Sequence, residues 1–305
     1  MAKDVFEGRV SSRRRMRVVG SLLAFPALGW LFAFLILPLG GLAVLAFARR
    51  GAYGSVDWTL SLENLRRIAG WGLFGWSPDH LEILVRSGVF ALVTTAVCLA
   101  LALPMAFWIC DRGRTARLAL MALVTVPSCI NLVVRTYAWM LLLGSHAVPV
   151  ALLRWVGVLG PEEALYPGWG AVLLGMISCM LPFAVLPLYG SVERLDWSIV
   201  EAARDLHAGS WRTFRHGVLP QIVPGLVAAV VLTAVPSLGM FVVSDLLGGS
   251  RTMLVGNLVQ QQFGMASDWP FGAMAGLVLT AGSLVSLAIL MRFGEGRPRR
   301  RETTP

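Results

Sequence analysis

The stretch EAARDLHAGSWRTFRHGVLP, Glu201 to Pro220, concentrates charged and histidine side chains in a chain that is otherwise largely apolar. The chemistry it offers is recognition. Ile199, Ala202, Ala203 and Leu206 recur at helical spacing and share one face, with Glu201, Arg204 and Asp205 on the other side. Such a helix could lie on lipid headgroups. Its alanine face favours docking instead: alanines bury little area in lipid but let a backbone approach a protein groove closely. Ser198 is expected to cap the helix, with Glu201 three residues on closing a capping box. Gly209 is expected to turn the chain, and Ser210 to cap a second short helix through Trp211 and Phe214. Pro220 and Pro224 then open an apolar run, where a missing N–H costs little.

Two more charges stand where charge is expensive. Arg135 interrupts an apolar run, a placement costing at least about 2 kcal/mol unless it meets a partner, a wet cavity or, by snorkelling, the headgroups. With Tyr137 it would border a passage for an anionic or zwitterionic solute. Asp245, near the end of a later run, would alternatively be its ion-pair partner. Catalytic sets are missing from the sequence. Cys98, Cys110, Cys129 and Cys179 lie in or beside apolar runs with no C-x-x-C pair. His80, His146, His207 and His216 are scattered. Neither metal, cofactor nor disulfide framework is expected. A P-loop needs a lysine in G-x-x-x-x-G-K-[ST], and the sole lysine is Lys3. If ATP drives this protein, it is hydrolysed on another polypeptide.

The elements that must position these residues are membrane spans. The 305 residues are 56% hydrophobic and 14% charged, with mean hydropathy +0.71. Soluble domains carry about 25% charged residues. The net charge of +9 is nearly all arginine, clustered at the ends of apolar runs, which marks topology rather than nucleic-acid binding. Six spans are expected, at 18–48, 87–110, 118–143, 169–190, 221–247 and 271–291, each near the roughly 20 residues that cross a bilayer as helix. The first follows Arg13, Arg14, Arg15 and Arg17 but exceeds the about 7–15 apolar residues of a signal peptide. Most of the 26 basic residues fall on the side of the N-terminus, so both termini and the 191–220 loop are expected in the cytoplasm. Segments 49–86, 145–168 and 248–270 then lie outside, the first with Tyr53, Trp58, Trp71 and Trp76 suited to an interface. The layout is a basic segment 1–17, a six-helix domain 18–292 and a basic tail 293–305. Pro104, Pro127, Pro182, Pro187 and Pro236 interrupt spans, and Gly272 to Gly276 forms a small-residue face for close helix contact.

Several strings together resemble a known family: ALPMAFWICDR, VVRTYAWMLLLG, MLPFAVLPLYGSVERLD, EAARDL, LPQIVPGL, LGMFVVSDLLGG and QQFG followed by DWPFGAM. In order and spacing, residues from about 20 to 290 resemble the permease subunit of spermidine/putrescine-type ABC importers. The resemblance implies an all-α integral membrane protein of the type I importer permease fold, with six transmembrane helices and a cytoplasmic EAA loop. It implies that Glu201, Ala202, Ala203, Asp205, Leu206 and Gly209 form the surface docking into an ATP-binding-cassette ATPase. It also implies ATPase subunits, a second permease chain of different sequence and an extracytoplasmic solute-binding protein as partners, in a bacterial inner membrane. Two positions depart from the pattern. His207 stands where the family has glycine after Asp-Leu. Met240, between Gly239 and Phe241, stands where it has the glutamate of Gly-Glu-Phe, so an acid that would meet a cationic polyamine is missing there.

Two other classes compete. An ion-coupled secondary transporter or channel subunit needs carboxylates inside the spans, and Asp245 alone comes near that. A membrane enzyme needs convergent nucleophile, base or metal ligands, which no spacing here supplies.

Overall fold

The computed structural model describes residues 25–26, 28–72, 75–145, 147–157, 159–160, 163–249 and 252–294. Helix α1, Leu28–Ala46, has one π-helical turn at Phe32–Ile36. Two small antiparallel hairpins follow, β1 Arg49–Arg50 with β2 Val56–Asp57, and β3 Trp71–Gly72 with β4 Gly75–Trp76. Between them sits α2, Glu63–Ile68. The long α3 is Asp79–Cys110. Then come α4 Arg114–Thr125, α5 Leu132–Leu143 and α6 Val148–Trp155. Helix α7 is Trp169–Val192, α8 Trp197–Asp205 and α9 Ser210–Thr213. A π-helical turn, Phe214–Val218, leads into α10 Leu219–Gly239. The chain continues through α11 Val242–Gly248, α12 Val255–Phe263 and α13 Trp269–Gly294. Among the described residues six helical stretches are long and apolar enough to span a membrane.

Helices α3, α7 and α10 pack on one another along their lengths and form the centre. Their mutual faces are mostly small or slender: Cys98, Ala102 and Ala106 on α3, Cys179, Ala184 and Val185 on α7, Ala229 on α10, all buried. Small faces suit a bilayer, where burying apolar surface against a neighbour gains little over lipid and close packing must supply the attraction. Among the larger residues, Ile109, Met176, Leu188 and Ile222 are buried with them, while others such as Leu92 of α3 turn outward. A second cluster joins α1, α12 and α13 through Ala46, Leu258, Phe271, Ala273 and Met274. The small-residue face of α13 is used there: a Cβ on Gly272 would lie 3.1 Å from Gln262 Cβ and 3.2 Å from the Phe263 ring.

Two expected spans are corrected. The run 118–143 is not one helix: α4 gives way to a 3-10 turn, Val126–Cys129, before α5 begins. Pro127 contributes no N–H, and Asn131 restarts the helix by accepting the Val133 N–H at 2.8 Å. The third spanning stretch therefore covers Leu132–Trp155. The run 221–247 is likewise divided: α10 ends at Gly239, Met240 has extended backbone, and α11 starts two residues later. Pro104, Pro182, Pro187, Pro224 and Pro236 are carried within continuous helices. The basic segment 1–17 and the residues after 294 lie outside the described residues.

At one end of the bundle, Asp268 fastens the hairpin region to α13. Its carboxylate, on a residue only 1% exposed, takes Arg67 Nη1 at 2.9 Å and has Arg50 Nη1 at 3.9 Å. Its other oxygen accepts the Phe271 N–H at 3.3 Å. The Arg67 guanidinium also sits 4.2 Å over the Phe271 ring. The carboxylate is buried while Arg67 is about a third exposed, so losing these charge-assisted bonds costs about 1.5–3 kcal/mol. Asp268→Ala is therefore expected to lower the thermal midpoint in detergent sharply, and Arg50→Ala, at the longer distance, much less.

Gly225 marks the closest approach of α10 to α7. A Cβ there would lie 2.6 Å from the Pro187 carbonyl oxygen, which the backbone fixes in place, whereas at Gly190 nothing lies within 4 Å. Overpacking of this kind costs about 1–3 kcal/mol. Gly225→Ala should destabilise the purified protein by that amount and Gly190→Ala should not, as read by tryptophan fluorescence during heating.

Candidate functional site

The loop between α7 and α10 holds the first candidate surface. Helix α8 begins two residues earlier than the capping-box reading expects. Asp196, not Ser198, is the cap: its Oδ1 accepts the Ser198 N–H at 3.0 Å and the Ser198 hydroxyl at 2.7 Å. Gln221 explains the choice, because its Oε1 accepts the Asp196 N–H at 2.9 Å and holds that residue just outside the helix. Val200 is buried and Ala203 half-buried on the side facing the rest of the loop, while Ile199 lies 3.7 Å from where a Gly217 Cβ would be. Glu201, Ala202, Asp205, Leu206 and Gly209 are exposed. Leu206 is 83% exposed and Trp211 70%.

The turn after α8 is made by His207, not by Gly209. His207 has φ +57°. Its N–H bonds the Arg204 carbonyl at 2.9 Å and the Ala208 N–H bonds the Ala203 carbonyl at 3.0 Å. These are the two bonds of a Schellman cap, which requires a left-handed residue immediately after the C-cap, here Leu206. Gly209 comes two residues too late and instead precedes α9 with extended backbone, so Ser210 is the first residue of that helix rather than its cap.

The second candidate surface lies at the end of the bundle that holds Asp268. Asp245, exposed on α11, lines a cleft of about 340 Å³ with Gly249, Thr252, Asn257, Gln260 and Gln261. Asn257 organises this wall. Its side-chain oxygen accepts from the Ser244 hydroxyl and from the Leu254 N–H, and its amide donates to the Phe241 carbonyl at 3.3 Å. The Val255 N–H is taken by Ser87 Oγ of α3 at 2.8 Å. Helix α11 also packs closely on α7, where a Cβ on Gly175 would meet Leu247 and Val243 side chains within 2.7 Å.

Arg135 and Asp245 are not paired among the described residues, although α5 and α11 are neighbours. Arg135 Nη2 donates to the Ile130 carbonyl at 3.1 Å, folding the side chain back toward the break before α5. Its Nε and Nη1 are buried without a partner. Tyr137 is nearly half exposed, and Met240 is half-buried at the break between α10 and α11. The structure thus places Asp245 in a cleft, and Arg135 and Met240 each beside a helix break. Asn257, Thr252 and the glutamines escaped the sequence reading. Their signal was a group of amides and hydroxyls in an apolar region. Among the described residues no cluster of three His, Cys, Asp or Glu could hold a metal.

These features define a polytopic membrane permease with a projecting loop helix. Residues 98–299 match the family described as binding-protein-dependent transport system inner membrane component, and the chain belongs to that family. It is 34% identical over 252 residues to the spermidine/putrescine transport system permease protein PotB of Escherichia coli (strain K12), covering 83% of this chain and 89% of that one. It is 29% identical to the inner membrane ABC transporter permease protein YdcU of the same strain, covering 91% and 94%. In fold it is similar to a chain of a bacterial ABC transporter involved in the import of the acidic polysaccharide alginate. That match has TM-score 0.69 at 16% identity and covers 97% of this chain and 100% of that one. A further match, TM-score 0.68 at 16% identity over 92% of this chain and 95% of that one, is the alginate transporter in complex with a periplasmic protein bound to an alginate pentasaccharide. The chain is therefore a multi-pass inner-membrane permease subunit of an ABC importer, of the type I fold. Its ATP is hydrolysed on a separate subunit, and its family works with a solute-binding protein.

A β-branched residue at a left-handed position costs about 1–3 kcal/mol, whereas glycine adopts it freely. His207→Gly should leave the loop as protease-resistant as the parent or more so. His207→Val should loosen it, seen as faster tryptic cleavage after Arg204 or Arg212.

Proposed function

We propose that α8 is the helix through which an ATPase subunit drives this permease, and that the chain imports a small cationic amine of the polyamine class. The observation that carries the first part is the exposed surface of Ala202, Leu206 and Trp211 beside a capped, rigid helix. An exposed leucine and tryptophan flanking small residues suit a groove on a partner protein. Glu201 and Asp205, both exposed, offer charged contacts at its rim, and Gly209, exposed with extended backbone, leads into the second arm of the loop. This reading puts the 191–220 loop, the basic segment 1–17 and the tail 293–305 in the cytoplasm, flanking a transmembrane domain 18–292. The working assembly would hold ATPase subunits, a second permease chain of different sequence and a periplasmic binding protein that delivers solute to the Asp245 end.

Asp245 supports the cationic solute: among the described residues it is the one ionisable side chain lining its cleft, beside the amides and hydroxyl of Asn257, Gln260, Gln261 and Thr252. The likeness to a spermidine/putrescine permease supports the same class. Met240 and Arg135 favour a second, less cationic reading. Met240 supplies no acid at the break, and Arg135 keeps two N–H groups unpartnered that suit a carboxylate.

Ala202→Trp and Glu201→Arg should still insert in the membrane but lose ATP-driven uptake at least tenfold, about 1.4 kcal/mol of coupling. Full uptake by Ala202→Trp would remove the docking role. Radiolabelled putrescine uptake in proteoliposomes with the cognate binding protein tests the solute. Asp245→Asn should raise the KM about tenfold. Competition by zwitterions but not by diamines would favour the second reading.

A further inference from the structure

A three-residue bridge stands where α7 hands over to α8. Glu193 is the C-cap of α7, and only Arg194, Leu195 and Asp196 separate it from the first residue of α8. Its Oε1 accepts from Arg117 Nη1 at 3.0 Å and from the Tyr189 hydroxyl at 2.9 Å. The other arm of Arg117, Nη2, donates to the Cys110 carbonyl at 2.6 Å, the last residue of α3, where the free carbonyls of a helix end favour a cation. Arg117 itself belongs to the first turns of α4. One guanidinium thus ties the ends of α3 and α7 and the start of α4 at the root of α8. On the far side of that root, Gln221 holds the Asp196 N–H and donates to the Gly217 carbonyl at 2.8 Å. Beside the bridge opens a cleft of about 410 Å³, lined by Phe107, Asp111, Arg112 and Trp197, which leaves the root of α8 room to swing.

We propose that the Arg117–Glu193–Tyr189 bridge is a positioning device that transmits movement of α8 to the α3–α7 pair. The pair is about a third to a half exposed, and pairs of that exposure add little to stability. What three converging hydrogen bonds do fix is direction: a push on α8 reaches Glu193 and, through Arg117, the end of α3. Without the bridge, α8 swings into the cleft and α7 stays where it is. This inference rests on the reading of α8 as the docking helix.

The test uses the assembled importer in nanodiscs, with Cys129→Ala to remove the exposed native thiol and Gln261→Cys as reporter in the outer cleft. Labelling of that thiol by an impermeant maleimide is compared with and without ATP plus vanadate, so no solute need be known. In Arg117→Ala and Glu193→Gln, ATP hydrolysis should stay within about twofold of the parent while the ATP-dependent change in labelling falls at least about fivefold. The swap Arg117→Glu with Glu193→Arg should restore part of it. An unchanged labelling response in assembled single variants overturns the proposal. So does recovery of assembly alone by the swap with the response never affected, which would make the bridge a plain structural tie. Ala202→Trp, on the exposed face of α8, separates the two readings. If it too leaves the response intact, the docking role of α8 fails; if it abolishes the response while Arg117→Ala does not, only the bridge's role fails.

Discussion

In lipid, helices gain little by hiding apolar surface from one another, so the architecture depends on how closely their backbones can approach. The α3–α7–α10 centre meets that condition with alanine, cysteine and glycine. At Gly225 the α10 backbone comes so near the Pro187 carbonyl that a methyl group does not fit, and at Gly175 the side chains of α11 occupy the space a Cβ would fill. Contacts of this kind hold helices rigidly in register, because any slide along the axis opens a gap or makes a clash. Rigidity in α7 matters beyond stability. Helix α7 runs the length of the bundle, touching the outer cleft through α11 at one end and leading into α8 at the other.

The loop beyond α7 is stiff for a different reason. It lies past the packed bundle and relies on hydrogen bonds. Asp196 caps the start of α8, His207 closes its end, and Gln221 ties its root to α10. A helix of nine residues is marginal alone, so both ends must be held if it is to carry force. The left-handed His207 costs backbone energy that the two Schellman bonds offset, and in return the chain reverses within three residues and leaves Leu206 exposed.

How far the sequence could be read follows from what hydropathy measures. The boundaries of α7 and α13 agree with the expected spans to within three residues, because long apolar runs there end in charged or turn-forming residues. The breaks before α5 and α11 were invisible by the same measure, since Val126, Ile130, Met240 and Phe241 are all apolar; Pro127 and Asn131 were the only local hints. The cap of α8 was misplaced by two residues because serine and aspartate cap about equally well. The deciding bond comes from Gln221, 25 residues away. Asn257 and the Arg117–Glu193 pair were out of reach for a related reason. Their partners are set by tertiary packing, across 16 and 76 residues of chain.

The two breaks also show what Arg135 contacts within its own chain. Non-helical backbone inside a bilayer must find partners for its freed carbonyls, or line a wet cavity. At the α10–α11 break the Phe241 carbonyl, which already accepts the Asp245 N–H at 2.8 Å, also receives Asn257 Nδ2 at 3.3 Å and the Ser244 hydroxyl at 3.0 Å. At the α4–α5 break the Ile130 carbonyl receives Arg135. Arg135 lies on α5 and Ser244 on α11, adjacent short helices that both pack on α7, while Asn257 reaches in from α12. Arg135 therefore has a contact within the chain that involves no solute: it donates to the Ile130 carbonyl at the break before α5. A neutral amide could make one such bond. A guanidinium makes it and still holds two N–H groups in reserve, and that surplus is what a break that opens and closes during transport could draw on.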